Sequence, residues 1–243
     1  VTSVLTWLGA MSYIQRGPSL LFGMDTMMMI LLVYLMVGPS GAALSVDRWL
    51  ERYRERRRRG VAFLPATSPP PSAWANFVIR LIQVHFCLIY LVSGCSKLLG
   101  STWWGATAPN LVLLNVEFAP MRLGAYSAFI TFLSKHRVLW ELAMSAGVLF
   151  TLFTEIGLPF LVWNRRMRWV MVCCSVLLHT NIGLMMGLTT FSLMMLAMLL
   201  AFVPPEVVRQ FIARLGERAR LLLRSRSPDR PPGAKPELVL SRS

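Results

Sequence analysis

Long apolar blocks, separated by polar and basic segments, are the main pattern along this chain. Four such blocks cover residues 24–43, 75–99, 139–163 and 169–203. A helix needs about 20 apolar residues to cross the roughly 30 Å of bilayer hydrocarbon, and each block reaches that length. Because open sheet edges are excluded from hydrocarbon, the blocks are predicted to be helical. The predicted fold is therefore all-α, a polytopic transmembrane helical bundle.

The last apolar block is too long for a single crossing. Its 35 residues would extend about 52 Å as one helix, which exceeds the hydrocarbon core even when the helix is tilted. Gly183, Gly187, Thr189 and Thr190 offer a break near its middle. We therefore predict a broken or re-entrant helical hairpin near the C-terminal end. Since broken helices at membrane depth must be sheltered by protein or line a cavity, the hairpin also indicates a functional site.

The segments between the blocks are polar, basic or rich in proline. Residues 44–72 are predicted to be a basic, then proline-rich loop. Residues 100–137 are predicted to connect two blocks, with a short interfacial helix over residues 123–133. Residues 1–8 resemble the end of an earlier helix, so we expect the first helices of the domain to precede this sequence.

Composition supports a membrane chain, and the placement of charge gives it an orientation. Hydrophobic residues make up 55% and charged residues 15% of the sequence, whereas about 25% of residues are charged in soluble domains. The net charge is +14, with arginines concentrated in residues 48–59, in residues 165–168 and in the tail. Positive residues favour cytoplasmic loops and anionic headgroups, so all three segments are predicted to be cytoplasmic and close to membrane lipids. We predict a transmembrane domain over residues 1–205 and a basic, partly disordered cytoplasmic tail over residues 206–243.

Two other classes of partner are not expected from this sequence. Nucleic-acid binding would need a soluble module with basic residues and interleaved aromatics, and the sequence has none. The four cysteines lie inside apolar blocks without metal-ligand spacing, as expected for small buried hydrophobic residues, and no metal site is predicted. They are Cys87, Cys95, Cys173 and Cys174.

Polar side chains inside the apolar blocks are the candidate functional groups, because placing an ionisable group there costs at least a few kcal/mol. Four of them share one face of the helix predicted over residues 75–99: Gln83, Tyr90, Ser93 and Lys97. A polar stripe on an apolar helix is expected to face the bundle interior. Lys97 also lies near the helix end, where a lysine can extend to the membrane interface, and the sequence alone favours this second interpretation.

Glu155 and His179 lie deeper within their blocks. A pair between them, or with Lys97, would lower the burial cost of each group. Such a pair could equally serve only to fix helix register, and the sequence leaves both alternatives open. The candidate catalytic residues are Lys97, Glu155 and His179. The candidate substrate-binding residues are Asp25, Tyr90, Ser93, Trp103, Trp104 and Asn181.

One segment resembles the central signature of the HTTM (horizontally transferred transmembrane) domain family, which includes the vitamin K-dependent γ-glutamyl carboxylases. The residues that carry the resemblance are Tyr90, Ser93, Gly94, Lys97, Leu98, Trp103, Trp104 and Gly105. Weaker similarities in order and spacing extend it over roughly residues 16–205, at Ser45, Val46, Asp47, Glu155, His179, Gly187 and Phe191.

The resemblance implies chemistry at Lys97. In the carboxylases, the lysine at this position is the proposed base toward a reduced quinone, so a quinol or reduced vitamin K-like molecule is the implied cofactor. The carboxylase site also contains a histidine, but this sequence has no histidine at the matching position. Asp25 falls near that position. The sequence also has no counterpart of the large luminal domain that holds carboxylase substrates, so protein glutamyl carboxylation is not expected. The resemblance further implies a bacterial protein of the cell (inner) membrane.

Two functions are compatible with the sequence. The first is a membrane-embedded enzyme acting on a lipophilic substrate, with Lys97 as general base and with Glu155 and His179 positioning or relaying protons. The second is a non-catalytic membrane protein: a transporter, a lipid-binding scaffold or an assembly partner. A carboxylate, a histidine or a cavity beside Lys97 would favour the first, whereas a lysine facing lipid would favour the second.

Overall fold

In this computed structural model the described residues are 2–17, 23–42, 45–61, 70–115 and 124–225, with side chains described as far as residue 218. Every regular element within these ranges is helical, which confirms the all-α class, and none of the described residues forms a strand. The α-helices are α1 Thr2–Ile14, α2 Gly23–Val37, α3 Val46–Arg59, α4 Ala73–Leu98, α5 Ser101–Trp104, α6 Ala108–Leu114, α7 Gly124–Lys135, α8 Arg137–Leu161, α9 Met167–Met186, α10 Thr189–Leu199 and α11 Pro205–Ser225. A 3₁₀ turn, Leu200–Phe202, follows α10.

The chain divides into two compact units, Val1–Phe202 and Val203–Ser243. Three helices of the first unit are long and apolar enough to cross a membrane: α4, α8 and α9, with 26, 25 and 20 residues. At 1.5 Å per residue, each is about 30 Å long or longer. The apolar helix α2 is shorter, with 15 residues. Three of the four apolar blocks therefore contain a helix of membrane-spanning length, whereas the first block forms only the 15-residue helix α2.

The first unit has one end at which basic segments and tryptophans gather, which we call the basic end. Here α2 ends and α4 begins, since the Trp74 indole donates to the Val37 carbonyl at 2.8 Å. The same end holds the turn from α8 to α9, because the Arg80 guanidinium lies 5.8 Å from the Trp163 ring. The Trp163 ring in turn lies 6.2 Å from that of Phe202, the last residue of the unit. The end of α2, the start of α4, the α8–α9 turn and the last residue of the unit therefore lie at one end of the first unit. The cytoplasmic placement of the basic segments stays a prediction.

Helices α9 and α10 form the predicted broken hairpin. Gly187 ends α9 with φ of +68°, a left-handed conformation that glycine adopts without the steric cost of a side chain. Two residues later Thr189 begins α10, which packs back along α9. A Cβ at Gly183 would lie 3.1 Å from Ser192 Oγ, so a small residue is needed where the two helices approach.

Four helices lie in segments where no helix was predicted: α3, α5, α6 and α11. Helix α3 falls in the segment expected to be a loop, and that expectation was wrong. Ser45 Oγ accepts a hydrogen bond from the Arg48 amide, Gly60 ends the helix in the left-handed conformation, and Arg48–Glu51 forms an ion pair one turn apart. These caps and i,i+3 or i,i+4 pairs stabilise a polar helix without an apolar face against a core.

Of the other three unpredicted helices, α5 and α6 lie in the connection before α7, and α11 lies in the tail. Helix α6 begins with Pro109 in its first turn, a position that proline favours. Helix α11 occupies the part of the tail before residue 226. The disorder predicted from residue 231 onward lies outside the described residues. Helix α7 is the described part of the predicted interfacial helix, whose first residue, 123, also lies outside the described residues.

Candidate functional site

The site begins with a close approach between α4 and α8. Gly94 faces α8 so closely that a Cβ built on it would lie 2.7 Å from Ile156 Cγ1 and 3.2 Å from Glu155 Cβ. Only glycine fits at this position without movement of a neighbour. The side chains one residue and three residues away on α4, Ser93 and Lys97, are thereby brought within reach of Glu155.

Lys97 and Glu155 form an ion pair inside the first unit. The Lys97 ammonium lies 2.9 Å from Glu155 Oε1 and 2.7 Å from Oε2, and it donates to Ser93 Oγ at 2.7 Å. The Ser93 hydroxyl also donates to Glu155 Oε1, at 3.2 Å. Only 21% of the Lys97 side chain and 10% of the Glu155 side chain is exposed. Lys97 therefore turns into the bundle, and the interpretation that it extends away to an interface was wrong.

A tryptophan completes the surroundings of the lysine. The Lys97 ammonium lies 5.3 Å from the centre of the Trp103 ring, within cation–π distance. Trp103 belongs to the short helix α5, which directly follows α4. The aromatic face and the carboxylate together replace part of the hydration that the ammonium loses on burial.

A second polar contact joins α4 to α9. The Tyr90 hydroxyl and His179 Nε2 share a hydrogen bond of 2.6 Å, and both residues are almost completely buried. His179 also meets the Phe191 ring edge-on, with 5.7 Å between ring centres, so Tyr90 of α4 and Phe191 of α10 contact the imidazole on two sides. His179 Nδ1 is buried and has no hydrogen-bond partner among the residues that the structure describes. A buried imidazole nitrogen without a partner is a place where a bound molecule would gain a hydrogen bond.

The polar stripe predicted on α4 is present, and each of its members contacts another helix or turn. Gln83 donates to the Ala201 carbonyl at 2.7 Å, while Tyr90, Ser93 and Lys97 make the contacts given above. The stripe therefore faces the interior along most of α4.

A cavity of about 610 Å³ lies beside these polar groups. Along α8 its wall is a single stripe that ends at Glu155: Ala143, Met144, Gly147, Phe150, Thr151 and Glu155. Twelve residue steps separate the first and last of these, which is about 18 Å of helix. Apolar side chains from α6, α7, α9 and α10 form most of the remaining wall. The cavity is thus elongated, with its polar groups gathered near one end of the α8 stripe and apolar walls along the rest.

The structure brings seven of the nine candidate site residues together on this cavity. They are Tyr90, Ser93, Lys97, Trp103, Glu155, His179 and Asn181. Trp104 is exposed and donates its indole N–H to the Leu98 carbonyl at 2.7 Å. Asp25 lies in the first turn of α2 and is not part of the described cavity wall, although Met27 of the same helix is.

The cavity wall also contains residues that the sequence did not indicate. Phe129, Ile130 and Leu133 of α7 and Pro109 and Val112 of α6 face the cavity. The spacing of the α7 residues is that of one helix face. This pattern signals a buried face, but it does not tell a cavity wall from ordinary packing.

Comparisons with protein-family models, with curated proteins and with solved structures find no match for this chain. The resemblance of the Tyr90–Gly105 segment to the HTTM family stays a prediction from its residues.

Proposed function

We propose that this chain is a multi-pass membrane protein that binds a lipophilic molecule with an uncharged polar head group, and that Lys97 acts on that molecule as a general base. One observation carries the proposal: an elongated apolar cavity of about 610 Å³ ends at the Lys97–Glu155 pair and the Tyr90–His179 pair. Cavities that hold small molecules combine apolar walls with a few convergent polar groups. An amphiphile would place its head at the two pairs and its apolar part between α6, α7 and α8.

The preference for an uncharged head group follows from the ion pair. Lys97 and Glu155 have opposite charges and are in contact, so their fields largely cancel a short distance away. What the site offers a ligand is hydrogen bonding: the Ser93 and Tyr90 hydroxyls and His179 Nδ1. A hydroxyl, carbonyl or quinol head matches these groups, whereas a phosphate would need an unpaired cation. The quinol implied by the HTTM resemblance belongs to this ligand class.

The proposed base step keeps its protons within the chain and the ligand. A lysine must lose a proton before it can accept another, and the touching Glu155 carboxylate can take that proton to give a neutral pair. The neutral Lys97 amine then accepts a proton from the ligand head group. Glu155 is thus the positioning and relay residue, and His179 holds the head group by a hydrogen bond. Such proton transfer by a positioned side chain commonly accelerates a reaction about 10²–10⁴-fold.

A non-catalytic function is the second candidate, and the ion pair itself favours it. A lysine fully engaged by a carboxylate and a serine joins α4 to α8 and holds their register, whatever else it does. In that case the cavity would hold a structural lipid or a transported lipid, and no ligand would be converted.

The test identifies lipids that co-purify with the full-length chain by mass spectrometry, comparing the wild type with Lys97→Met and Lys97→Arg. Lys135→Met is the matched control, because Lys135 is an exposed lysine outside the cavity. We expect one lipophilic species in the wild type and in Lys135→Met that is depleted in Lys97→Met. Lys97→Arg keeps the positive charge and can pair with Glu155, but an arginine does not give up its proton. It should therefore retain the ligand and lose any conversion of it.

Each outcome decides between the candidates. Ligand retained by the wild type but never converted supports the non-catalytic function. Conversion that persists in Lys97→Arg removes Lys97 from the mechanism. If no species distinguishes the wild type and Lys135→Met from Lys97→Met, Lys97 does not bind the head group of a ligand and the proposed role of Lys97 fails.

A further inference from the structure

Helix α3 carries an apolar stripe that no other part of the described chain covers. Val46, Trp49, Leu50 and Tyr53 follow the i, i+3, i+4, i+7 spacing that places side chains on one helix face. Their exposed fractions are 72%, 58%, 36% and 41%, and the Trp49 and Tyr53 rings stack on each other with 5.8 Å between centres. A two-turn stripe with two aromatic rings is a large apolar surface to leave in water.

The rest of α3 is strongly basic. Its 14 residues include seven arginines and three acidic residues, a net charge of +4. The last four residues of the helix are all arginines, and the Arg57 guanidinium lies 5.4 Å from the Tyr53 ring centre, at the edge of the apolar stripe. An aromatic-rich apolar face flanked by arginines is the composition of helices that lie flat in the headgroup layer of anionic membranes.

The start of α3 lies close to the end of α2, because Ser45 Oγ donates to the Gly41 carbonyl at 2.7 Å. The segment leaves α2 and returns to α4 at the basic end of the first unit, where the Trp74 indole donates to Val37. Trp74, Trp163 and Trp169 are also at this end, with exposed fractions of 51%, 41% and 42%. Exposed tryptophans at the ends of apolar helices are typical of a membrane–water interface. The α3 stripe adds Trp49 to the same end.

We propose that α3 is a membrane-surface helix that docks on anionic lipid, with the Trp49 face inserted among the acyl chains nearest the headgroups and the arginines on lipid phosphates. This inference rests on the membrane location given under the proposed function, but it does not depend on the cavity or on Lys97. The partner is a bilayer surface rather than a protein, because the stripe is narrow and the helix that carries it has a net charge of +4.

The test uses the full-length chain in nanodiscs of phosphatidylcholine, with or without phosphatidylglycerol. The lipids carry bromine on the acyl chains close to the headgroup, and bromine quenches tryptophan emission on contact. Comparison of the wild type with Trp49→Phe isolates the contribution of Trp49, which is about one eighth of the emission because the chain has eight tryptophans. We expect the Trp49 contribution to disappear in brominated discs that contain phosphatidylglycerol and to survive in brominated phosphatidylcholine alone.

Glutamine substitutions at residues 56–59 test the charge contribution. Each arginine near an anionic surface contributes roughly a fivefold shift toward the docked state, so the quadruple variant should restore Trp49 emission in brominated anionic discs. Arg137→Gln is the control, since Arg137 is an exposed arginine at the far end of α8, and it should leave Trp49 quenched.

The outcomes separate this inference from the membrane location on which it rests. If bromine quenches other tryptophans but leaves Trp49 bright in anionic discs, α3 does not dock on lipid and the inference is overturned, while the membrane location stands. If no tryptophan is quenched, the membrane location fails as well. Equal quenching of Trp49 with and without phosphatidylglycerol would overturn the specificity for anionic lipid.

Discussion

Replacing Gly94 by alanine adds one methyl group at the point where α4 and α8 are closest. The new Cβ would lie 2.7 Å from Ile156 Cγ1 and 3.4 Å from the Ile156 amide nitrogen. The Ile156 side chain cannot rotate away easily, because a β-branched residue in a helix has one strongly preferred χ1 rotamer. The two helices must therefore separate by some tenths of an ångström.

The expected loss of stability combines two opposing effects. Extra volume in a packed interior costs about 1–3 kcal/mol, and the higher helix propensity of alanine returns about 1 kcal/mol. Gly94→Ala should therefore lower the free energy of unfolding by up to about 2 kcal/mol. Gly157→Ala in α8 is the matched control, because a Cβ there would meet its nearest atom, Leu161 Cδ1, at an ordinary 3.5 Å. The control should gain up to about 1 kcal/mol from helix propensity.

Thermal unfolding of the purified chain in detergent measures the contrast, at about 2–4 °C per kcal/mol for a chain of this size. Adding Ile156→Ala to Gly94→Ala removes the atom that the new methyl group meets. The double variant should therefore lose about 0.5–3 kcal/mol less stability than the sum of the two single losses. Two results would contradict this reasoning: a Gly94→Ala variant as stable as Gly157→Ala, or stability losses of Gly94→Ala and Ile156→Ala that simply add. Either would show that the close approach does not hold the two helices together.

The remaining predictions concern the turn and the two buried pairs. Gly187→Ala should lower the free energy of unfolding by about 1–2 kcal/mol, because alanine is strained in the left-handed backbone conformation of this residue. An unchanged melting temperature would mean that the turn rearranges. Lys97→Met should lower the free energy of unfolding by about 3–5 kcal/mol, because the buried Glu155 carboxylate loses the opposite charge beside it and keeps only the Ser93 hydroxyl. Adding Glu155→Leu should recover most of that loss; failure to recover it would show that the pair is not the cause. Tyr90→Phe should lower the free energy of unfolding by about 1–3 kcal/mol because His179 loses its hydrogen bond. Chemical denaturation measures this loss, and a variant as stable as the wild type would show that another group replaces the hydroxyl.

Apolar block length and residue spacing were sufficient to predict much of the fold. Membrane-length helices follow from uninterrupted hydrophobic runs, and the break at Gly187 follows from a block too long for one helix. The inward face of α4 follows from the spacing of Gln83, Tyr90, Ser93 and Lys97. These features depend on local sequence, so no knowledge of the tertiary structure was needed.

The pairing of the site residues could not be predicted in the same way. Lys97 and Glu155 are 58 residues apart, and their contact depends on how α8 packs against α4 at Gly94. Whether His179 pairs with a carboxylate or with Tyr90 depends on the direction in which the broken hairpin turns. Helix α3 was not predicted for another reason: its caps and ion pairs are local signals, but a helix this rich in charge contains no long apolar block.

The contact between Lys97 and Glu155 has a consequence for how this sequence can change over time. A substitution that removes one charge leaves the other buried without its opposite charge, which destabilises the fold. We therefore expect a lineage that loses the lysine to lose the acid soon afterwards. Gly94 is a third position under the same constraint, because a larger residue there would move the Glu155 carboxylate away from Lys97. Related chains that keep this geometry should therefore retain or exchange the three positions together, whereas the apolar walls of the cavity are free to vary with the shape of the molecule they hold.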